Sequence, residues 1–216
     1  VEGNQAQADS GINAEAAMQG HDSAIHLQPG DALIVVDLQC DFLPGGSLAV
    51  PQGDEVVTVL NAYIPAFKWR GLTIVATRDW HPANHCSFLA QGGQWPPHCV
   101  ADTDGARFAS GLDLPNDAPI ISKATSPDHD AYSGFAGTEL DQLLRKSAIR
   151  RVFIGGLATD YCVLNTVRDA LRLGYATVLL TDAIRAVDVK PGDGARAIAE
   201  MGRLGAVCIE RKQMIG

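Results

Sequence analysis

The sequence predicts an α/β protein, a three-layer α/β/α domain built around a mostly parallel, doubly wound central sheet. Three observations carry this. Apolar runs rich in β-branched residues recur at Ala32–Val36, Leu72–Thr77, Arg151–Ile154 and Ala176–Thr181, and runs apolar on both faces suit central parallel strands. Stretches with helical spacing lie between them, so strand, helix and strand alternate and the crossovers are expected to be right-handed. The 216 residues, 46% of them hydrophobic, suffice for one sizeable core. The net charge of −8 argues against nucleic acid or an anionic membrane as partner, and no apolar stretch reaches the length of a bilayer span.

In chain order, residues 1–30 are rich in Ala, Gln, Gly, Asn and Asp and read as an N-terminal arm or tail, with a helical turn at Ala14–Gln19 as its only local signal. The domain proper is expected over 31–216. Its first strand ends at Asp37, followed by a turn-rich loop from Leu38 to Ser47. Asp54 to Arg70 carries Val56, Val57, Leu60, Ile64 and Phe67 at helical spacing, with Pro65 expected to kink or restart the helix. After the strand at 72–77 comes a polar loop holding Asp79, His81, His85 and His98. Pro119–Lys123 reads as a short strand ending in a lysine. Thr138–Asp141 resembles a capping box that opens a helix to about Ser147.

The strand at 151–154 leads into Gly155-Gly156-Leu157-Ala158-Thr159-Asp160-Tyr161-Cys162-Val163, the stretch around which the chain is organised. Val163, Val167, Ala170 and Leu171 then share a helix face that stops at Gly174. Cys162 is therefore expected in the first turn of a helix capped by Thr159 or Asp160, where free backbone N–H groups favour a thiolate and can hold an oxyanion. Asp182 is expected in a turn or cap after the strand at 176–181. A helix over 194–204 and a strand over 206–210 complete the chain.

Asp37, Lys123 and Cys162 stand at or just past the C-terminal ends of three expected strands. In a parallel sheet those ends share one edge, so the three can converge. Lys123 would favour the thiolate, and Asp37 could move a proton between the thiol and a leaving amine. Asp79 and His81 point the same way in an extended segment, and His98 can fold back to complete two imidazoles and a carboxylate. That set suits Zn²⁺, Fe²⁺ or Mn²⁺, with His85 as a fourth ligand or an outer neighbour. Three of the six histidines fall in this region. The five cysteines are odd in number and show no framework spacing, which indicates a reducing, cytoplasmic compartment.

Taken together, Val36-Asp37-Leu38-Gln39 with Asp41-Phe42, Arg78-Asp79-Trp80-His81-Pro82, Trp95-Pro96-Pro97-His98-Cys99-Val100, Asp130-Ala131-Tyr132-Ser133-Gly134-Phe135 and Gly156–Val163 resemble the nicotinamidase/pyrazinamidase family of the isochorismatase-like cysteine hydrolases. The resemblance implies a triad of Asp37, Lys123 and Cys162. It implies a cis peptide before Ala158 and an oxyanion hole from Ala158 and Cys162. It implies metal ligands Asp79, His81 and His98, with His85 in or next to the shell, and one divalent ion, Zn²⁺ foremost. Phe42, Trp95, Tyr132, Leu157 and Tyr161 match positions around the substrate. The implied reaction deamidates nicotinamide, and also pyrazinamide, through a thioester, in a possible homo-oligomer. Competing readings are a ureido or carbamoyl amide hydrolase of the same superfamily, a non-haem iron oxygenase using Asp79, His81 and His98, and a binding protein with an inert cysteine.

Overall fold

The computed structural model describes residues 24–215; the turn expected at Ala14–Gln19 and the arm as far as residue 23 lie outside the described residues. Eight strands are described: β1 (Ile25–His26), β2 (Asp31–Val36), β3 (Thr73–Asp79), β4 (Ile120–Lys123), β5 (Arg151–Leu157), β6 (Ala176–Arg185), β7 (Val207–Ile209) and β8 (Met214–Ile215). Six of them form one sheet in the order β4-β3-β2-β5-β6-β7, and every pairing in it is parallel. β1 and β8 make a separate parallel pair, Ile25 beside Met214. The described part of the segment before residue 31 thus packs along the C-terminus, with the Arg151 guanidinium joining Asp31 (2.6 Å) to the His26 carbonyl (2.8 Å).

The alternation along β2 builds both cores. Leu33 and Val35 face the layer of α1 (Glu55–Trp69), where Leu60, Tyr63, Ile64 and Phe67 are buried. Ala32, Ile34 and Val36 face the opposite layer, made by α2 (Leu140–Lys146), α3 (Leu164–Arg172) and α4 (Asp193–Arg203). Side chains that alternate across a strand and are apolar on both sides require cover on both faces. α1 runs through Pro65 without restarting.

Three local expectations are corrected. Glu139 precedes α2 without a side-chain cap, and Asp141 turns to Arg145 and Tyr175 instead of back to Thr138. Thr138 Oγ1 itself accepts from the Leu140 N–H at 3.3 Å. β6 does not end at Thr181: a register shift opposite Ile154–Gly156 carries it on to Arg185, leaving Asp182 inside the strand. There Asp182 accepts from the Tyr63 hydroxyl (2.8 Å) and the Arg211 N–H (2.8 Å), so it ties α1 to the C-terminal segment.

The chain winds outwards from β2 through β3 to β4, then returns to the other side of β2 with β5. The crevice between the C-terminal ends of β2 and β5 is the switch point at which such sheets place ligands. Gly156 lets these two strands approach: its φ is +130°, and a Cβ there would meet the Val36 carbonyl oxygen at 2.0 Å. Gly155 is less constrained, its nearest contacts being 3.2 Å away. Gly156→Ala is therefore expected to destabilise the protein by about 3 kcal/mol more than Gly155→Ala, the combined size of backbone strain and overpacking, read as the difference in urea midpoint.

Candidate active site

Each expected triad residue enters the crevice from a different strand. Asp37 directly follows β2, in a left-handed conformation (φ 45°). Lys123 ends β4, where it is the register partner of Asp79 at the end of β3. Cys162 lies in the turn after β5. All four are buried. The Lys123 ammonium is the junction. It donates to Asp79 Oδ1, forms an ion pair with Asp37 Oδ2 at 3.0 Å, and reaches the Ala131 carbonyl at 3.0 Å and Cys162 Sγ at 3.4 Å. Thr77 donates to the other Asp37 oxygen at 2.6 Å. Apart from the lysine ion pair, Asp37 Oδ2 has no partner among the described residues, and an Asp37 oxygen lies within 4.8 Å of Cys162 Sγ.

The turn that carries Cys162 differs from the expected capped α-helix. Thr159–Val163 forms a π-helical turn that passes into α3, and neither Thr159 nor Asp160 caps it. The residue before it, Ala158, follows a cis Leu157–Ala158 peptide. The Ala158 carbonyl accepts from both Tyr161 and Val163 N–H groups at 3.1 Å. Single π-turns inserted at a helix start are a recurrent way of re-aiming one side chain at a functional site.

Asp79, His81 and His98 offer ligand atoms that all lie within 4.8 Å of one another. Neither ring nitrogen of the buried His81 has a hydrogen-bond partner among the described residues. Two orphaned nitrogens in the interior are costly unless something else binds one of them. His98 Nδ1 lies 2.8 Å from the Pro96 carbonyl, so it donates there and leaves Nε2 with a free lone pair. These residues fit a divalent cation with open coordination positions. His85 does not join them. Its Nδ1 accepts from the Ser87 N–H (3.3 Å) and faces Ser87 Oγ (2.7 Å), while Nε2 donates to the His129 carbonyl (3.2 Å). Both nitrogens are occupied, and the ring packs against His81 at 4.2 Å.

Beside the nucleophile lies a cleft of about 340 Å³, its open mouth included, lined by Phe42, Trp95, Tyr132, Tyr161, Ala158, Asp79, His98 and Cys162 together with Leu48 and Val187. Trp95 Nε1 donates to the Tyr132 hydroxyl at 3.0 Å, and the Trp95 and Tyr161 rings meet edge to face at 5.1 Å. Leu157, expected at the substrate, instead turns into the core, where it would meet a side chain at Gly53. Leu48 and Val187 carried no signal beyond being apolar. Three polar groups that hold the site were also missed as such. Buried Gln39 brackets the Asp79 backbone, accepting from its N–H and donating to its carbonyl, both at 2.8 Å. Thr77 orients Asp37. Asp41 accepts the Cys99 N–H at 2.7 Å, next to His98.

Residues 31–213 match the Isochorismatase domain family. The chain belongs to the isochorismatase-like hydrolases. Within that family it is 42% identical over 199 residues to the nicotinamidase of Escherichia coli, covering 82% of this chain and 93% of that one. The pyrazinamidase of Pyrococcus horikoshii in complex with zinc is 53% identical, covers 84% of this chain and 99% of its own, and superposes with a TM-score of 0.81. PnC1 from L. infantum in complex with nicotinate is 37% identical, covers 89% and 98%, and gives a TM-score of 0.82.

Electrostatics in this isochorismatase-like site depart from the sequence expectation. Burial pushes the Cys162 thiol well above its ordinary value, and Lys123 only partly opposes this, with Asp37 and Asp79 adding to the rise. Burial likewise raises Asp37 against the pull of Lys123. Burial would lower Lys123, but the Asp37 and Asp79 carboxylates outweigh it and hold the ammonium charged. Burial, with His85 and His98 beside it, lowers His81 to about 2, so its imidazole is neutral and able to ligate. Burial thus works against the thiolate expected at a helix N-terminus. All five cysteines are free of disulfides.

Two outcomes follow from these signs. In chelator-stripped protein, Asp37→Asn removes a charge that raises the thiol, so the pH profile of Cys162 alkylation shifts down; Lys123→Met removes one that lowers it, so the profile shifts up. Zinc titration of stripped protein should show His81→Ala and His98→Ala losing about 100-fold or more in affinity, and His85→Gln no more than the loss typical of an outer neighbour, about 10–100-fold.

Proposed function

We propose that this protein is a cysteine amidohydrolase that deamidates nicotinamide to nicotinate and ammonia through a thioester on Cys162, with pyrazinamide as a second substrate. One observation carries the reading. A buried thiol and a carboxylate lie within reach of one ammonium, which also donates to Asp79 of the Asp79, His81 and His98 group, and a narrow aromatic cleft opens beside them. The similarity to the E. coli nicotinamidase supports it.

Bound by Asp79, His81 and His98, a divalent ion would supply a Lewis-acidic contact for a ring nitrogen. Zinc is our first assignment, supported by the donor set and by the zinc in the P. horikoshii relative. The rest is done by the chain. Trp95, Tyr132, Tyr161 and Phe42 hold a flat ring, so the carboxamide meets the sulfur already oriented. Cys162 gives its proton to Asp37 as Sγ bonds to the carbonyl carbon, and Lys123 offsets the charge left on sulfur. The Ala158 and Cys162 N–H groups are the donors we assign to the tetrahedral oxyanion. Asp37 returns the proton to the amide nitrogen, the C–N bond breaks and ammonia leaves. Asp37 then takes a proton from water, whose oxygen attacks the thioester. The acid departs, and Cys162 recovers the proton.

No described helix is long and apolar enough to cross a membrane. We assign the protein to a reducing cytoplasm, in keeping with five free thiols. The deciding measurement is ammonia release from nicotinamide by metal-loaded protein. Cys162→Ala should abolish turnover while still titrating zinc, and Asp37→Asn should lower kcat by about 10³-fold. Protein that binds zinc but frees no ammonia from nicotinamide or pyrazinamide overturns the assignment.

A further inference from the structure

Asp160 sits two residues before the nucleophile, is only half-buried, and does not cap the helix it precedes. Its carboxylate instead reaches across to the segment after β6. Oδ1 accepts the Val187 N–H at 3.0 Å and Oδ2 the Asp188 N–H at 2.9 Å. Hydrogen bonds to an ionised acceptor are the stronger kind, and a pair of them fixes direction as well as distance. The segment they hold is one that backbone energy alone would not place. Asp188 is left-handed (φ 54°), and its own carboxylate accepts the Gly194 N–H at 2.7 Å in the first turn of α4. Gly194 in turn passes so near Ala186 that a Cβ would approach the Ala186 Cβ to 2.5 Å.

This network meets the cleft at Val187. β6 extends beside β5 until Arg185 is the register partner of Leu157, so Val187 emerges at the crevice and lines it alongside Tyr161 and Cys162. Val187 is thus a wall that belongs to a different element from the nucleophile turn, and Asp160 joins the two through side-chain to backbone bonds.

We propose that Asp160 is a positioning residue that sets substrate width: it clamps Val187 against the cleft at a fixed distance from Cys162, so a flat, unsubstituted heteroaromatic amide fits and a ring-substituted one is excluded. This rests on the amidohydrolase reading above and adds to it the determinant of ring size. Asp160→Asn keeps the shape but turns one acceptor into a donor facing an N–H, so one bond of the clamp is lost and the segment is free to move outward. Val187→Ala removes the wall and leaves the clamp.

The test measures kcat and KM for nicotinamide and for a ring-methylated nicotinamide, with the pH profile of Cys162 alkylation as the reporter on the nucleophile turn. In Asp160→Asn, KM for nicotinamide should rise about 10-fold with kcat changed less than about 3-fold, since mispositioning of a binding wall removes binding shared by ground and transition states. The preference in kcat/KM for nicotinamide over its methylated analogue should fall by about 10-fold, and the alkylation profile should stay where it is. Val187→Ala should lower the same preference. Adding Asp160→Asn to Val187→Ala should change it by less than about 2-fold, because both act through one wall. An unchanged preference in Val187→Ala overturns the inference even if Asp160→Asn fails to fold. So does a fall in kcat for both amides in equal proportion with a displaced alkylation profile, since that assigns Asp160 to the nucleophile turn alone. Wild-type protein inert on nicotinamide overturns the amidohydrolase reading instead, which an active wild type with an unaltered preference leaves standing.

Discussion

The Lys123 ammonium is the point on which the site closes, because two carboxylates with different tasks share it. Asp79 turns one oxygen to the lysine and the other towards His81, 3.6 Å from its Nε2. Asp37 meets the same ammonium from the side of the thiol. A fully buried lysine is strongly disfavoured on its own, and only good geometry with every proton satisfied offsets its lost hydration. Here Asp37, Asp79, the Ala131 carbonyl and Cys162 surround it. The lysine therefore couples the Cys162 thiol to the Asp79, His81 and His98 group: a change at either carboxylate leaves a buried charge short of a partner. Sheet register makes this possible. Asp79 and Lys123 are paired across β3 and β4, and a slip of one residue would turn Lys123 to the opposite face.

The backbone around the site is held in conformations that loops do not adopt without support. Asp37, Cys99 beside His98, and Ala124 beside Lys123 all have positive φ, between 45° and 51°. Such residues cost about 1–3 kcal/mol each and persist where surrounding bonds over-determine them. The bonds are present. The Asp37 N–H is held by the Thr77 carbonyl, the Cys99 N–H by Asp41, and the Cys99 carbonyl by the His81 N–H at 3.0 Å. This last contact ties His81 through the backbone to the segment that carries His98.

What could be read from the sequence divides along physical lines. Central strands were legible because burial on both faces leaves an unbroken apolar run, as in Ala32–Val36. The convergence of Asp37, Lys123 and Cys162 was legible because strand ends in a parallel sheet share an edge, and the grouping of Asp79, His81 and His98 because histidine and aspartate cluster in one loop. Relations that depend on a partner far along the chain were not. Nothing near Gln39 announces that it brackets a backbone forty residues away, and nothing near Asp160 distinguishes a helix cap from a clamp on Val187. The π-turn was missed because it and an ordinary first turn have the same apolar spacing from Val163 onward. β6 ran past its expected end because a polar Asp182 inside a strand looks like a terminus until Tyr63 and Arg211 are seen to satisfy it.

Burial raises the Cys162 thiol, and the same burial encloses Lys123, Asp37 and Asp79 beside it. A thiolate exposed to solvent is alkylated and oxidised by whatever small electrophile arrives. Here burial outweighs the lysine in raising the thiol, and among the described residues Lys123, Asp37 and Asp79 are the charges set against the sulfur. Asp37 is raised by the same burial, so acid and thiol shift in one direction while Lys123 opposes both. On the mechanism proposed above, charge on the sulfur is favoured where Lys123 faces it and a carbonyl is in place to receive it. Desolvation works against the free thiolate, and the lysine, held charged by two carboxylates, is the group that offsets it.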